Sequence, residues 1–140
     1  MSLCDILACE INQLEEIIIQ EDPYSKGSWF KAKNIGMIEL SKLGEILEVG
    51  SYDNLSDGFK LVGEPLDQGP WPQTIPVELT DRLSVLSEDE IIEVCDHWSK
   101  IEEFRGHAAP DALKAYLLGL REFLVSTKSS NNHMFLVNAL

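Results

Sequence analysis

Glu102 and Trp98 are the two side chains whose types and spacing come nearest to chemistry in this sequence. On a helix advancing about 100° per residue, Glu102 projects between Cys95 and Trp98, on the apolar side. A carboxylate facing a core costs free energy unless a partner pairs with it, and left unpaired its pKa rises. Two readings follow. One is a general acid or base, or a ligand-binding carboxylate, beside Trp98. The other is a structural ion pair with Arg105, three residues on. Trp29 and Trp71 join Trp98 as candidate pocket or partner-binding aromatics, and the alternative is that large rings close a small core. Trp71 lies in Gly69-Pro70-Trp71-Pro72, whose backbone two prolines stiffen.

Other reactive residue types do not assemble into a motif. Cys95 and His97 sit two apart on one helix and point about 160° apart, so they cannot pair as nucleophile and base. Cys95 reads as a small core hydrophobe. His97, His107 and His133, with Cys4, Cys9 and Cys95, show no C-x-x-C, H-x-x-x-H or H-E-x-x-H spacing, so no metal site is expected. Residues 58–63 read Gly-Phe-Lys-Leu-Val-Gly and lack the Lys-Ser/Thr of a phosphate loop. G-x-G-x-x-G and G-x-S-x-G are absent too, which disfavours nucleotide enzymes and α/β-hydrolases. No catalytic residue and no cofactor are assigned.

Charge carries more information. The 140 residues hold 24 Asp and Glu against 11 Lys and Arg, a net charge of −13. Binding through phosphates needs clustered cations, so nucleic acid is not an expected partner. An anionic membrane surface repels such a chain, and no apolar run approaches the roughly 20 residues of a span. The first 25 residues lack Lys and Arg, so no signal peptide is expected. Three cysteines without framework spacing fit a reducing compartment, which makes the cytoplasm the expected location. With 44% hydrophobic residues the chain can bury a core, so it is not an acidic tail.

Several elements must hold these residues. Leu7, Ile11, Leu14 and Ile18 form a stripe that reads as an N-terminal helix, with Asp5 at its cap. The alternative is a short strand over residues 3–8 leading into a helix near Ile11. Residues 24–35 read as a connection in which Lys26, Lys31 and Lys33 interleave with Tyr24, Trp29 and Phe30. A helix is expected from about Gly36 to Glu48, with Gly44 beside its apolar face marking close approach of another backbone. Residues 51–75 are rich in Gly and Pro and read as non-helical, with a short strand over Phe59–Val62. Pro76 opens a helix to about Leu86. Ser87-Glu88-Asp89-Glu90 is a capping box for a helix to about Phe104. Pro110 opens the last helix, to about Thr127, where Leu118 and Val125 project away from the main stripe and suggest a homodimer contact. Met134–Val137 reads as a strand, with 59–62 or 3–8 as its partner.

The pattern Ile75-Pro76-x-Glu78-Leu79-x3-Leu83-x2-Leu86 follows a Pro-Trp loop. Trp98-x3-Glu102-Glu103-Phe104, a Leu-rich helix and a short apolar end come after it. Over about residues 59–140 this resembles a group of small acidic bacterial proteins with no established activity. The resemblance implies a mainly helical protein in which Trp98 and Glu102 matter together, and it implies no substrate.

The expected fold is therefore mostly α, about five helices in one compact domain over residues 1–140, with room for a two- or three-stranded sheet. The expected function is a non-enzymatic cytoplasmic interaction domain, an immunity-type or inhibitory partner of a basic protein. The alternative is a small-ligand binder or enzyme using Glu102 beside Trp98.

Overall fold

The computed structural model describes residues 3–20, 22–32, 35–63, 69–128 and 131–139. Its elements run β1 (Leu3–Glu10), α1 (Leu14–Ile18), β2 (Ser28–Phe30), α2 (Met37–Ile46), α3 (Tyr52–Asp57), β3 (Trp71–Thr74), α4 (Val77–Ser84), α5 (Glu88–Trp98), α6 (Pro110–Ser126) and β4 (Asn132–Ala139). The four strands form one antiparallel sheet in the order β2-β1-β4-β3. The architecture is thus mixed α/β rather than a helical bundle, and the sheet is larger than the two or three strands expected.

The N-terminal segment shows why. Its apolar residues satisfy a helical stripe, yet residues 3–10 are a strand paired along its full length with β4, from Leu3 opposite Ala139 to Glu10 opposite Asn132. β1 is apolar on both sides because both faces of the sheet are covered, and a strand buried on both faces loses its clean alternation. Cys4 and Ile6 face the large helical core, while Leu7 and Cys9 face a second, smaller cluster. Asp5 caps no helix. It is buried within β1, where its carboxylate accepts from the Tyr24 hydroxyl and, at 3.0 Å, from the Ala32 amide.

The large core lies between one face of the sheet and α2, α4, α5 and α6. Trp98, Leu40, Leu79, Ile91, Leu117 and Leu120 are its most enclosed members. Phe30 of β2 turns into it and packs edge-on to Tyr116 with ring centroids 5.4 Å apart. The expected helix over 36–48 is α2, but what approaches Gly44 closely is side chains rather than another backbone. A methyl group there would lie 2.5 Å from Leu55 Cδ1 of α3. α3 itself corrects the reading of 51–75 as wholly non-helical. Ser51 Oγ accepts from the Asn54 amide at 3.2 Å, and burial of Leu55 against α2 stabilises a single capped turn and a half.

The capping box before α5 forms in both directions. Glu90 N–H donates to Ser87 Oγ, and Ser87 N–H donates to Glu90 Oε1, each at 3.1 Å. The Arg82 guanidinium also contacts Glu90, which ties α4 to α5. β4 takes β1 and β3 as neighbours, so of the two candidate partners for the terminal strand, residues 3–8 are chosen. Residues 60–62 instead run beside β3: Leu61 bridges Gln73, and Val62 N–H donates to Pro72 O at 2.9 Å.

Candidate functional site

Glu102 does not face the core. The α-helix stops at Trp98, the Lys100 and Ile101 amides donate three residues back, and Ile101 is extended at φ −65°, ψ 151°. Glu102–Phe104 then form a single 3-10 turn that ends on left-handed Arg105 at φ 51°, followed by Gly106 at φ 74°. The break rotates Glu102 outward, where it is exposed. Phe104 takes the inward position, packing edge-on to Trp98 with centroids 5.4 Å apart. Among the described residues Glu102 forms no ion pair with Arg105. Its neighbour Glu103 pairs with Lys42 of α2. The hydrogen bond from that ammonium holds the Glu103 carboxyl below its ordinary value.

The three tryptophans occupy three separate places. Trp98 is 0% exposed, and its Nε1 donates to Glu39 O of α2 at 3.0 Å, so it is a core residue out of a ligand's reach. Trp29 is half-buried on β2 opposite Leu7. Its Nε1 donates to Lys26 O at 2.8 Å and to Pro23 O at 3.1 Å, and its ring leans on Tyr24. Trp71 is half-buried at the start of the edge strand β3, after a cis Gly69–Pro70 peptide. The basic-aromatic stretch divides in the same way. Lys31 Nζ stands 4.7 Å over the Tyr24 ring, Lys26 reaches Glu16, Phe30 points into the core, and Lys33 lies outside the described residues.

Cysteine chemistry is suppressed by burial. All three thiols are free and buried. Desolvation pushes Cys4 up to about 12, with Glu39 and Asp5 adding to the shift, and pushes Cys9 and Cys95 up to about 11. Among the described residues no group of three or more His, Cys, Asp or Glu is placed to hold a metal ion. None of the helices described is long and apolar enough to cross a membrane.

Besides an open depression of about 370 Å³ around Glu10, Asn12, Asn131 and His133, two surface clefts stand out among the described residues. One, of about 300 Å³, lies between α4, the end of α6 and the β3–β4 edge, and brings Asp81, Lys128 and His133 to its walls. Its hydroxyls are spent on local backbone: Thr80 Oγ1 donates to Val77 O at 3.1 Å and Ser84 Oγ to Asp81 O at 2.7 Å. All three of its ionisable side chains belong to exposed residues. The other, of about 540 Å³, runs along α1 and is chiefly apolar.

The outer face of α5 combines charge with an apolar centre. Glu88, Asp89, Glu93 and Asp96 are exposed, and so is Ile92, half of whose surface meets solvent. Glu88, Asp89 and Asp96 stand at i−4, i−3 and i+4 from Ile92 and flank it, while Glu93 at i+1 lies about 100° further round the helix. Glu88 pairs loosely with Lys114 and Asp96 with Lys100, while Asp89 and Glu93 make no ion pair among the described residues. Sequence reasoning singled out the acidic density here and missed Ile92. The available signal was an apolar residue spaced four from both Glu88 and Asp96 on the side away from Ile91, Val94 and Cys95. On α6, Val125 is exposed, but Leu118 packs partly against the large core, so the pair does not present one continuous apolar patch.

No protein-family model, no curated protein and no solved structure matches this chain.

Proposed function

We propose that this protein is a non-enzymatic interaction domain of the cytoplasm, an immunity-type or inhibitory partner of a basic protein, which it meets with the outer face of α5. The observation that carries this reading is exposed Ile92 flanked by the exposed acids Glu88, Asp89 and Asp96, with Glu93 further round the same helix, on a chain of net charge −13. The charges steer a cationic surface inward and set register, while each exposed pair adds only about 0–1 kcal/mol. Ile92 supplies the contact that charge does not: half of its surface is still exposed, and covering that half contributes about 1 kcal/mol. Free, buried cysteines accord with a reducing compartment.

A panel of basic proteins, with acidic proteins as controls, tests the reading by calorimetry. Binding is expected only to basic members, and it weakens steeply as salt shortens the screening length below about 10 Å. Glu93→Lys with Asp96→Lys should abolish it, and Ile92→Ser should slow neither encounter nor folding but shorten residence. Binding indifferent to salt and to the charge reversal counts against the proposal. A homodimer contact centred on Val125 is the second reading, favoured by the exposure of that residue, and light scattering of Val125→Asp tests it.

A further inference from the structure

The groove along α1 lies on the opposite face of the sheet from the large core, away from α5. Ile11, Leu14, Ile18 and Ile19 form one wall, and Val62 with Pro70 and Pro72 the other. Ile11 is 52% and Ile19 64% exposed, which is unusual for two isoleucines flanking one cleft. Glu15 is the one charged residue lining it among the described residues. The next residue of α1, Glu16, pairs with Lys26 at 3.4 Å. Of the far wall's residues, Pro70 and Pro72 have no N–H, and Val62 N–H is bonded to Pro72 O. An added β-strand therefore finds few donors here, whereas a row of apolar side chains finds an apolar slot.

We propose that this groove receives the apolar side of a cationic amphipathic segment of a partner protein. The inference rests on the reading above that the partner is basic, and it adds a second contact surface. Charge complementarity selects the occupant. The lining is apolar apart from the Glu15 carboxylate, and a second copy of a chain of net charge −13 is repelled from it.

The test uses the full chain, isotope-labelled for amide NMR, with two synthetic amphipathic helices of about 18 residues, one of Leu and Lys and one of Leu and Glu. The Leu–Lys peptide is expected to shift the amides of Ile11, Ile18, Ile19, Val62 and Gly63. The Leu–Glu peptide should leave them in place. Ile11→Ser with Ile19→Ser, both at exposed positions, should weaken Leu–Lys binding by about tenfold. Glu15→Lys keeps the groove apolar and should reverse the preference between the peptides. Equal binding of both peptides, or no groove shifts with either, overturns the proposal. So does a dimer by light scattering that the double serine variant dissociates, because the occupant is then a second copy. Shifts confined to residues 88–96 overturn the groove and leave the α5 reading standing. Basic-protein binding that survives the α5 charge reversal, with the groove shifts intact, does the opposite.

Discussion

The sheet's two faces are built from the same strands and covered in different ways. Toward α2, α4, α5 and α6, residues such as Ile6, Phe30 and Leu136 meet a thick layer of helices in which Trp98, Leu79 and Ile91 are wholly enclosed. Toward α1, residues Leu7, Phe135 and Val137 are just as buried, but their cover is a helix of five residues and the strip around Val62. A short helix cannot span four strands, so this cover ends in an apolar groove. The contrast teaches that burial of a strand residue says little about the depth of what lies above it. The thick side is where stability resides, and the thin side is where apolar surface is left to spare.

The sharpest way to break that comparison is to open each core. Trp98→Ala should cost about 3–5 kcal/mol, through the cavity and the orphaned Glu39 carbonyl, read as a drop in urea midpoint. Leu14→Ala, equally buried but beside the groove, should cost about 2–3 kcal/mol, because the thin layer can settle or admit water. Equal losses would mean that the two covers are equally rigid.

A smaller effect is expected at Asp5, which ties the thin side to the loop before α2. Asp5→Ala should cost about 1–2 kcal/mol by leaving the Ala32 amide without its acceptor. Burial first, and then the hydrogen bond to Asp5, push the Tyr24 phenol up to about 12. The same variant should bring its ultraviolet titration part of the way back toward 10, with burial keeping the rest.

The smallest effect belongs to the surface link between α4 and α5. The Arg82 hydrogen bond, helped by the Ser87 amide, holds Glu90 down to about 2 from 4.5. A carboxylate with a depressed folded pKa stabilises the fold above its unfolded value and loses that contribution as pH falls toward the folded one. The contribution should therefore be intact above about pH 4.5 and fade toward pH 2. Carboxyl NMR should show a Glu90 midpoint near 2 that Arg82→Ala raises.

Local signals were legible where chemistry acts within one turn of chain. Ser87 and Glu90 announced a helix start, Pro110 another, and Gly44 a close contact, and each is found in place. Glu102 was misplaced because a uniform rotation was carried through Ile101, whose extended backbone resets the direction of every later side chain. The strand over residues 3–10 was indistinguishable from a helix by periodicity, since apolar residues on both its faces fit either pattern. Nothing nearby in the chain encodes β4 as its partner, more than 120 residues away.

Composition and spacing were enough to determine an acidic exterior, the helix starts at Pro76, Ser87 and Pro110 and three cysteines without a shared motif, because charge, proline and capping act through side chains and near neighbours. Which residues face solvent together was decided by packing. Ile92 is exposed because α5 turns its other side to α2 and α6, and Glu102 is exposed because the helix ends one turn early. The groove beside α1 exists because a sheet closed by distant strands is wider than the helix laid on it. Each of these arises from contacts between segments far apart in the chain, and no local pattern of residues carries that information.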